Sequence, residues 1–119
     1  MDNYTIIYND MSYTFIKDNI CTVKDNNDGT YTINLSNAIT LSNVEFEGFE
    51  LNDLFSVLSP SLKLSKTDTI NTYVDLENVN EYHYDTDKTT LYIGLKNSTI
   101  KYHYVYNQEF IDAITLLWV

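Results

Sequence analysis

The sequence predicts an α+β fold: mainly antiparallel β-sheet, as a meander or small sandwich, with one short internal helix and a C-terminal helix packed on the sheet. Three observations carry this expectation. Short runs rich in β-branched and aromatic residues recur along the chain, separated by Asn, Asp and Gly turn signals. The stretch from Glu81 to Tyr106 alternates strictly between apolar and polar residues, as a half-buried antiparallel sheet requires. The last residues switch to helical spacing. With 119 residues and no linker, low-complexity tract or composition shift, the chain is expected to form a single domain over 1–119.

Asn3 to Tyr8 and Ser12 to Lys17 read as strands, with Asn9-Asp10 as the turn between them. Ile20 to Lys24 and Thr30 to Leu35 are two more, joined by Asp25-Asn26-Asn27-Asp28-Gly29, whose Asp-Gly step supplies positive φ angles. Ile39 to Phe46 continues the sheet. Leu51, Leu54, Phe55 and Leu58 recur at helical spacing before Pro60, predicting a short helix over about Glu50 to Leu58. Leu62 and Leu64 start another strand, and Thr69 to Val74 is β-branched enough for one.

Tyr82-His83-Tyr84 recurs as Tyr102-His103-Tyr104 on either side of Thr89 to Leu95. Two-residue loops would align Tyr82, Leu91 and Tyr104 in one row and Glu81, Tyr92 and His103 in another. One face then carries the tyrosines with Leu91, Ile93, Leu95 and Ile100. The other carries Glu81, His83, Thr90, Tyr92, Gly94, Lys101, His103 and Val105. Asn107 can cap the final helix, whose Phe110, Ile111, Ile114, Leu117 and Trp118 form a lid for the tyrosine face.

Val23 to Leu35 resembles the Asp-Gly-Thr-Tyr hairpin of filamin-type and bacterial immunoglobulin-like repeats. That resemblance implies a β-hairpin there.

Composition excludes as well as suggests. The chain contains no arginine; seven lysines stand against 17 Asp and Glu, for a net charge of −10. Arginine is the preferred bidentate ligand of phosphate and of guanine edges. A net-negative surface repels a polyanion, so no direct contact with nucleic acid is expected. No apolar run approaches the ~20 residues of a membrane span, so no membrane partner is expected. The acidic start, Met1-Asp2-Asn3-Tyr4, lacks a secretory signal, and the lone Cys21 offers no internal disulfide. A cytoplasmic location in a bacterial host cell follows. The wealth of Asn, Asp, Thr, Tyr, Ile and Lys matches the coding bias of AT-rich genomes, such as low-GC Gram-positive bacteria and their phages.

Chemical motifs are few. Counting back from Gly29 as the sixth residue of a calcium loop puts Lys24 where the first carboxylate belongs, and no Glu occupies position twelve, so the segment reads as a hairpin turn. His83 and His103 share a face with Glu81 and Tyr92, but on non-adjacent strands, which disfavours joint metal ligation or acid-base work. Cys21 reads as a small buried hydrophobe. No phosphate-binding loop, dinucleotide glycine pattern or nucleophile elbow exists. No enzyme activity, catalytic residue, metal or cofactor is expected.

The leading functional expectation is therefore a non-enzymatic acidic module. It would be a phage or mobile-element inhibitor, of anti-CRISPR or other anti-defence type, that blocks the nucleic-acid site of a host protein by charge mimicry. Glu45, Glu47, Glu50, Asp53, Asp75, Glu77, Glu81, Asp85 and Asp87 would carry the charge, and Tyr73 and Tyr92 would be aromatic contacts. The alternatives are a self-associating structural or virion assembly protein, forming a homo-oligomer through sheet edges and tyrosines, and a small-ligand binder using the tyrosines as a stacking surface.

Overall fold

The computed structural model describes residues 3–36, 39–45 and 58–119. Strand β1 (Asn3–Tyr8) pairs with β2 (Met11–Ile16). The turn takes Asn9 and Asp10 through φ of 50° and 61°. Two positive φ values match the twist of a two-residue hairpin, and Asn and Asp tolerate them best after Gly. A 3₁₀ turn (Lys17–Asn19) leads into β3 (Ile20–Asp25), which forms a hairpin with β4 (Tyr31–Leu35). The connecting loop turns at Asn27 and Gly29, both at positive φ. Asp28 Oδ1 accepts from the Thr30 backbone N–H at 3.0 Å, which shapes the loop locally. Strands β5 (Thr40–Val44) and β6 (Asn71–Val74) complete an antiparallel sheet of order β5-β4-β3-β6. A second 3₁₀ turn (Leu76–Asn78) precedes the meander β7 (Val79–Tyr84), β8 (Thr90–Leu95) and β9 (Lys101–Val105). Helix α1 (Gln108–Trp118) follows, and Asn107 Oδ1 caps it by accepting from Phe110 N at 3.0 Å.

Two apolar cores form. The β1–β2 hairpin lays Tyr4, Ile6 and Phe15 over Val23, Ile33 and Leu41 of the four-stranded sheet. Phe110, Ile111 and Ile114 of α1 cover Leu91, Ile93 and Tyr104 of the meander, with Leu62 and Val74 alongside. Phe110 and Ile114 are wholly buried, and each such side chain contributes about 1.5–3 kcal/mol relative to exposure. The antiparallel sheets and C-terminal helix are thus the α+β architecture the sequence predicts.

Several elements differ from expectation in detail. The β8–β9 pairing is as predicted, with Leu91 opposite Tyr104 and Tyr92 opposite His103. The β7–β8 pairing is displaced by two residues, so Tyr84 faces Leu91 and His83 faces Tyr92. The cause is the loop. Asp85 accepts from the backbone N–H groups of Thr89 and Thr90 and from the Thr89 hydroxyl, holding a longer turn than two residues. A shift of two preserves the facing of every side chain. Leu62 makes only an isolated bridge to Thr72. Ile100 is 62% exposed, and Leu117 and Trp118 lie at the exposed end of the helix. The predicted helix near 50–58 falls outside the described residues except for Leu58, which bridges to Asp75.

The two halves repeat one arrangement: a strand, a 3₁₀ turn and three antiparallel strands. Asp18-Asn19-Ile20 corresponds to Glu77-Asn78-Val79. Ser36 N donates to Asn19 O at 2.8 Å, and Lys96 N donates to Asn78 O at 2.7 Å. Each half shifts register just beyond, between Ile20 and Thr22 and between Val79 and Glu81. The halves are joined where the two 3₁₀ turns meet. Lys17 Nζ reaches Asp75 Oδ2 at 2.7 Å and Glu77 Oε2 at 3.3 Å.

Candidate functional site

The four-stranded sheet buries one face and leaves the other polar. Val23, Ile33 and Leu41 point into the core, so by strand alternation Thr22, Lys24, Asn34 and Thr40 share the opposite face. Their side chains are linked. The Thr40 hydroxyl donates to Asn34 Oδ1 at 2.9 Å, and Asn34 Nδ2 donates to Thr22 Oγ1 at 2.7 Å. The Asn34 amide retains one N–H and one lone pair for a further partner.

This face opens onto the outer edge of β9. Tyr106 N bonds Thr89 O across the β8–β9 ladder, whereas Val105 N turns outward to Lys63 O. Alternation therefore points the peptide groups of Lys101 and His103 away from β8. The cleft between sheet face and strand edge has a volume of about 260 Å³ and is lined by Thr22, Lys24, Asn34, Lys101, Tyr102 and His103, with Leu64 and Ile100 at its rim. It is continuous through Asn34, Ile100 and Tyr102 with a second hollow of about 460 Å³ reaching Ser36, Thr40 and Ser98. Among the described residues, no carboxylate lines either hollow. Lys24 makes no ion pair among the described residues. Lys101 pairs with Glu81 at 3.0 Å, with both side chains about half exposed, so that pair is weak and exchangeable. Glu81 reaches Lys101 by crossing Gly94, where an added Cβ would lie 2.7 Å from Glu81 Cγ.

Next to the cleft, Cys21 is 2% exposed. Burial raises its thiol pKa despite an opposing hydrogen bond with Tyr102. Burial likewise raises the hydroxyls of Tyr102 and, further, Tyr104. These groups are neutral hydrogen-bonding partners around neutral pH. His83, Tyr92 and His103 form one row across the meander, with Tyr92 stacked on His83 at 4.7 Å and tilted against His103 at 6.2 Å. The tyrosine ring thus separates the two imidazoles. No cluster of three or more His, Cys, Asp or Glu suited to a metal exists among the described residues.

The acidic side chains singled out by sequence do not converge. Glu45 is exposed next to β5, while Glu47, Glu50 and Asp53 lie outside the described residues. Asp75 is 1% exposed and spent on Lys17 and on the Glu77 backbone N–H. Glu77 shares that lysine, Glu81 pairs with Lys101, Asp85 shapes the β7–β8 loop, and Asp87 is exposed on the same loop. Tyr73 is half-buried on β6 opposite Val23. The residues that do converge, Lys24, Asn34, Lys101 and His103, were missed as a group. Their signal in the sequence is the polar alternation Thr22-x-Lys24 and Thr32-x-Asn34, which says nothing about what lies opposite.

No protein-family model matches the chain, and no curated protein sequence matches it. Among solved structures it superposes on the LytTr DNA-binding domain of a protein described as a methyl-accepting/DNA response regulator, from Bacillus cereus. The TM-score is 0.58 at 12% identity, covering 99% of this chain and 97% of that one. The fold is shared with a DNA-binding domain. That likeness overturns the expectation of an acidic charge-mimic inhibitor of anti-CRISPR or phage anti-defence type. It equally overturns the exclusion of direct nucleic-acid contact. Net charge is a sum over the chain and does not record where the lysines stand: Lys24 and Lys101 line one cleft. The matched structure is described as a DNA-binding domain. No helix among the described residues is long and apolar enough to cross a membrane.

Proposed function

We propose that the chain is a cytoplasmic DNA-binding domain that works by binding, with no catalytic step of its own. The observation that carries this reading is the cleft in which Lys24, Lys101 and His103 meet the Asn34–Thr22–Thr40 array, with no carboxylate among its described lining residues, in a fold shared with a DNA-binding domain. The lysines would hold backbone phosphates, and the spare hydrogen-bonding capacity of Asn34 suits a base edge, adenine above all. With no arginine and an overall negative field, phosphate attraction is small, so hydrogen bonding and shape must supply most of the affinity.

The test is selection from a randomised duplex pool at low salt, followed by fluorescence anisotropy on the enriched sequences. The double variant Lys24→Gln/Lys101→Gln should bind several-fold more weakly with its melting curve unchanged, and Asn34→Ala should relax sequence preference. Failure to enrich any duplex, or equal binding by the double variant, would refute the proposal.

A further inference from the structure

The internal repeat exposes a difference between the halves. In the first half, the outer edge of β3 is covered by β6. In the second half, β7 holds the corresponding place, and no described strand covers its outer edge. Asp85 N bonds Thr90 O across the β7–β8 ladder, so the odd-numbered residues of β7 bond inward. Tyr82 and Tyr84 then direct their N–H and C=O groups outward. An open edge of this kind is a template for strand addition unless it is blocked.

We propose that β7 is a homodimerisation edge, where a second copy adds its own β7 antiparallel about a two-fold axis through Tyr82. Two features of the strand are self-complementary in that register. First, the axis places Glu81 directly opposite His83 of the partner subunit, twice, as non-hydrogen-bonded pairs whose side chains approach most closely. Second, the apolar end of α1 lies beside the same edge. Trp118 packs on Tyr82 with ring centroids 5.7 Å apart, while Leu117 and Trp118 are each 48% exposed and Leu116 is 79% exposed. The two-fold brings the partner's Tyr82 and helix end against this patch. The result is a continuous six-stranded sheet with an isologous interface, in which one contact satisfies both the strand edges and the exposed helix ends. Two copies at −10 each repel through the solvent, so added salt strengthens this association. Salt weakens phosphate contacts, so dimerisation and DNA binding respond in opposite senses and fail independently.

The experiment is sedimentation velocity of the full chain over a concentration series at low and moderate salt, with amide exchange followed by NMR in the same series. A dimer is expected to form with concentration and salt. The Tyr82 and Tyr84 amides should gain about tenfold protection as it forms, while those of His83 and Asp85 stay constant. Glu81→Lys should weaken the dimer at least severalfold, and adding His83→Glu to the same chain should restore it by placing a carboxylate opposite the new lysine across the axis. A monomer at every concentration, protection gained elsewhere, or no rescue by the double variant would overturn the proposal.

Discussion

Asp75 shows how a residue's surroundings decide what its charge does. It accepts from Lys17 and from the Glu77 N–H with 1% exposure. Burial alone would discourage charge on Lys17, but hydrogen bonds and attraction from Asp75, then Glu77, outweigh it and hold the ammonium above its ordinary 10.5. A raised lysine stabilises the fold fully below its unfolded value, and the contribution is lost only as pH climbs through the folded one. The staple between the halves should therefore hold until pH exceeds about 10.5. Asp75→Ala removes the closer of the two carboxylates on Lys17 and the acceptor of the Glu77 N–H, leaving Glu77 as the lysine's remaining partner, and should cost about 1–3 kcal/mol in urea unfolding at neutral pH. Thr72 is the opposite case. It is fully buried and its hydroxyl has no hydrogen-bond partner. Thr72→Val removes an unpaid desolvation and should be neutral or stabilising by up to ~1 kcal/mol in the same assay.

Among the elements, the turns carry chemistry that the strands do not. In the β7–β8 loop, the Asp85 carboxylate is held below its ordinary 3.8 by the Thr89 hydroxyl first, then by the backbone N–H groups of Thr90 and Thr89. A depressed carboxylate contributes its stability above the unfolded value, and that contribution disappears as pH falls through the folded one. Acidification below about pH 3.8 should release the Thr89 and Thr90 amides together, visible as coupled NMR shift changes that Asp85→Asn abolishes. Helix α1 depends on its cap in two ways, because Asn107 accepts from Phe110 N and also donates to Ser61 O at 2.7 Å. Asn107→Ala should cost about 1 kcal/mol in thermal unfolding. The existence and facing of these elements were legible because hairpin turns and alternation are local. The β7–β8 register was not, because an aspartate hydrogen-bonding across its own loop changes the loop length without changing the pattern.

For the whole molecule, total charge and local field part company. If Lys24 and Lys101 in the cleft each meet a phosphate, log affinity should fall with log salt at a slope of only about −2. Anisotropy titrations across a salt series check this, and a slope near zero would mean that no phosphate is engaged. The strand-and-turn rhythm, the apolar face of the meander and the capped final helix could be read from the residues in order, since each follows from neighbours in the chain. Folding in three dimensions sets which carboxylates are internal, that Lys24 and Lys101 line one cleft, that the fold is shared with a DNA-binding domain, and that β6 covers β3 while no described strand covers β7. Those facts depend on residues such as Lys17 and Asp75, or Lys24 and Lys101, that are dozens of positions apart. Packing of the sheets sets their distances, and no periodicity along the chain records it.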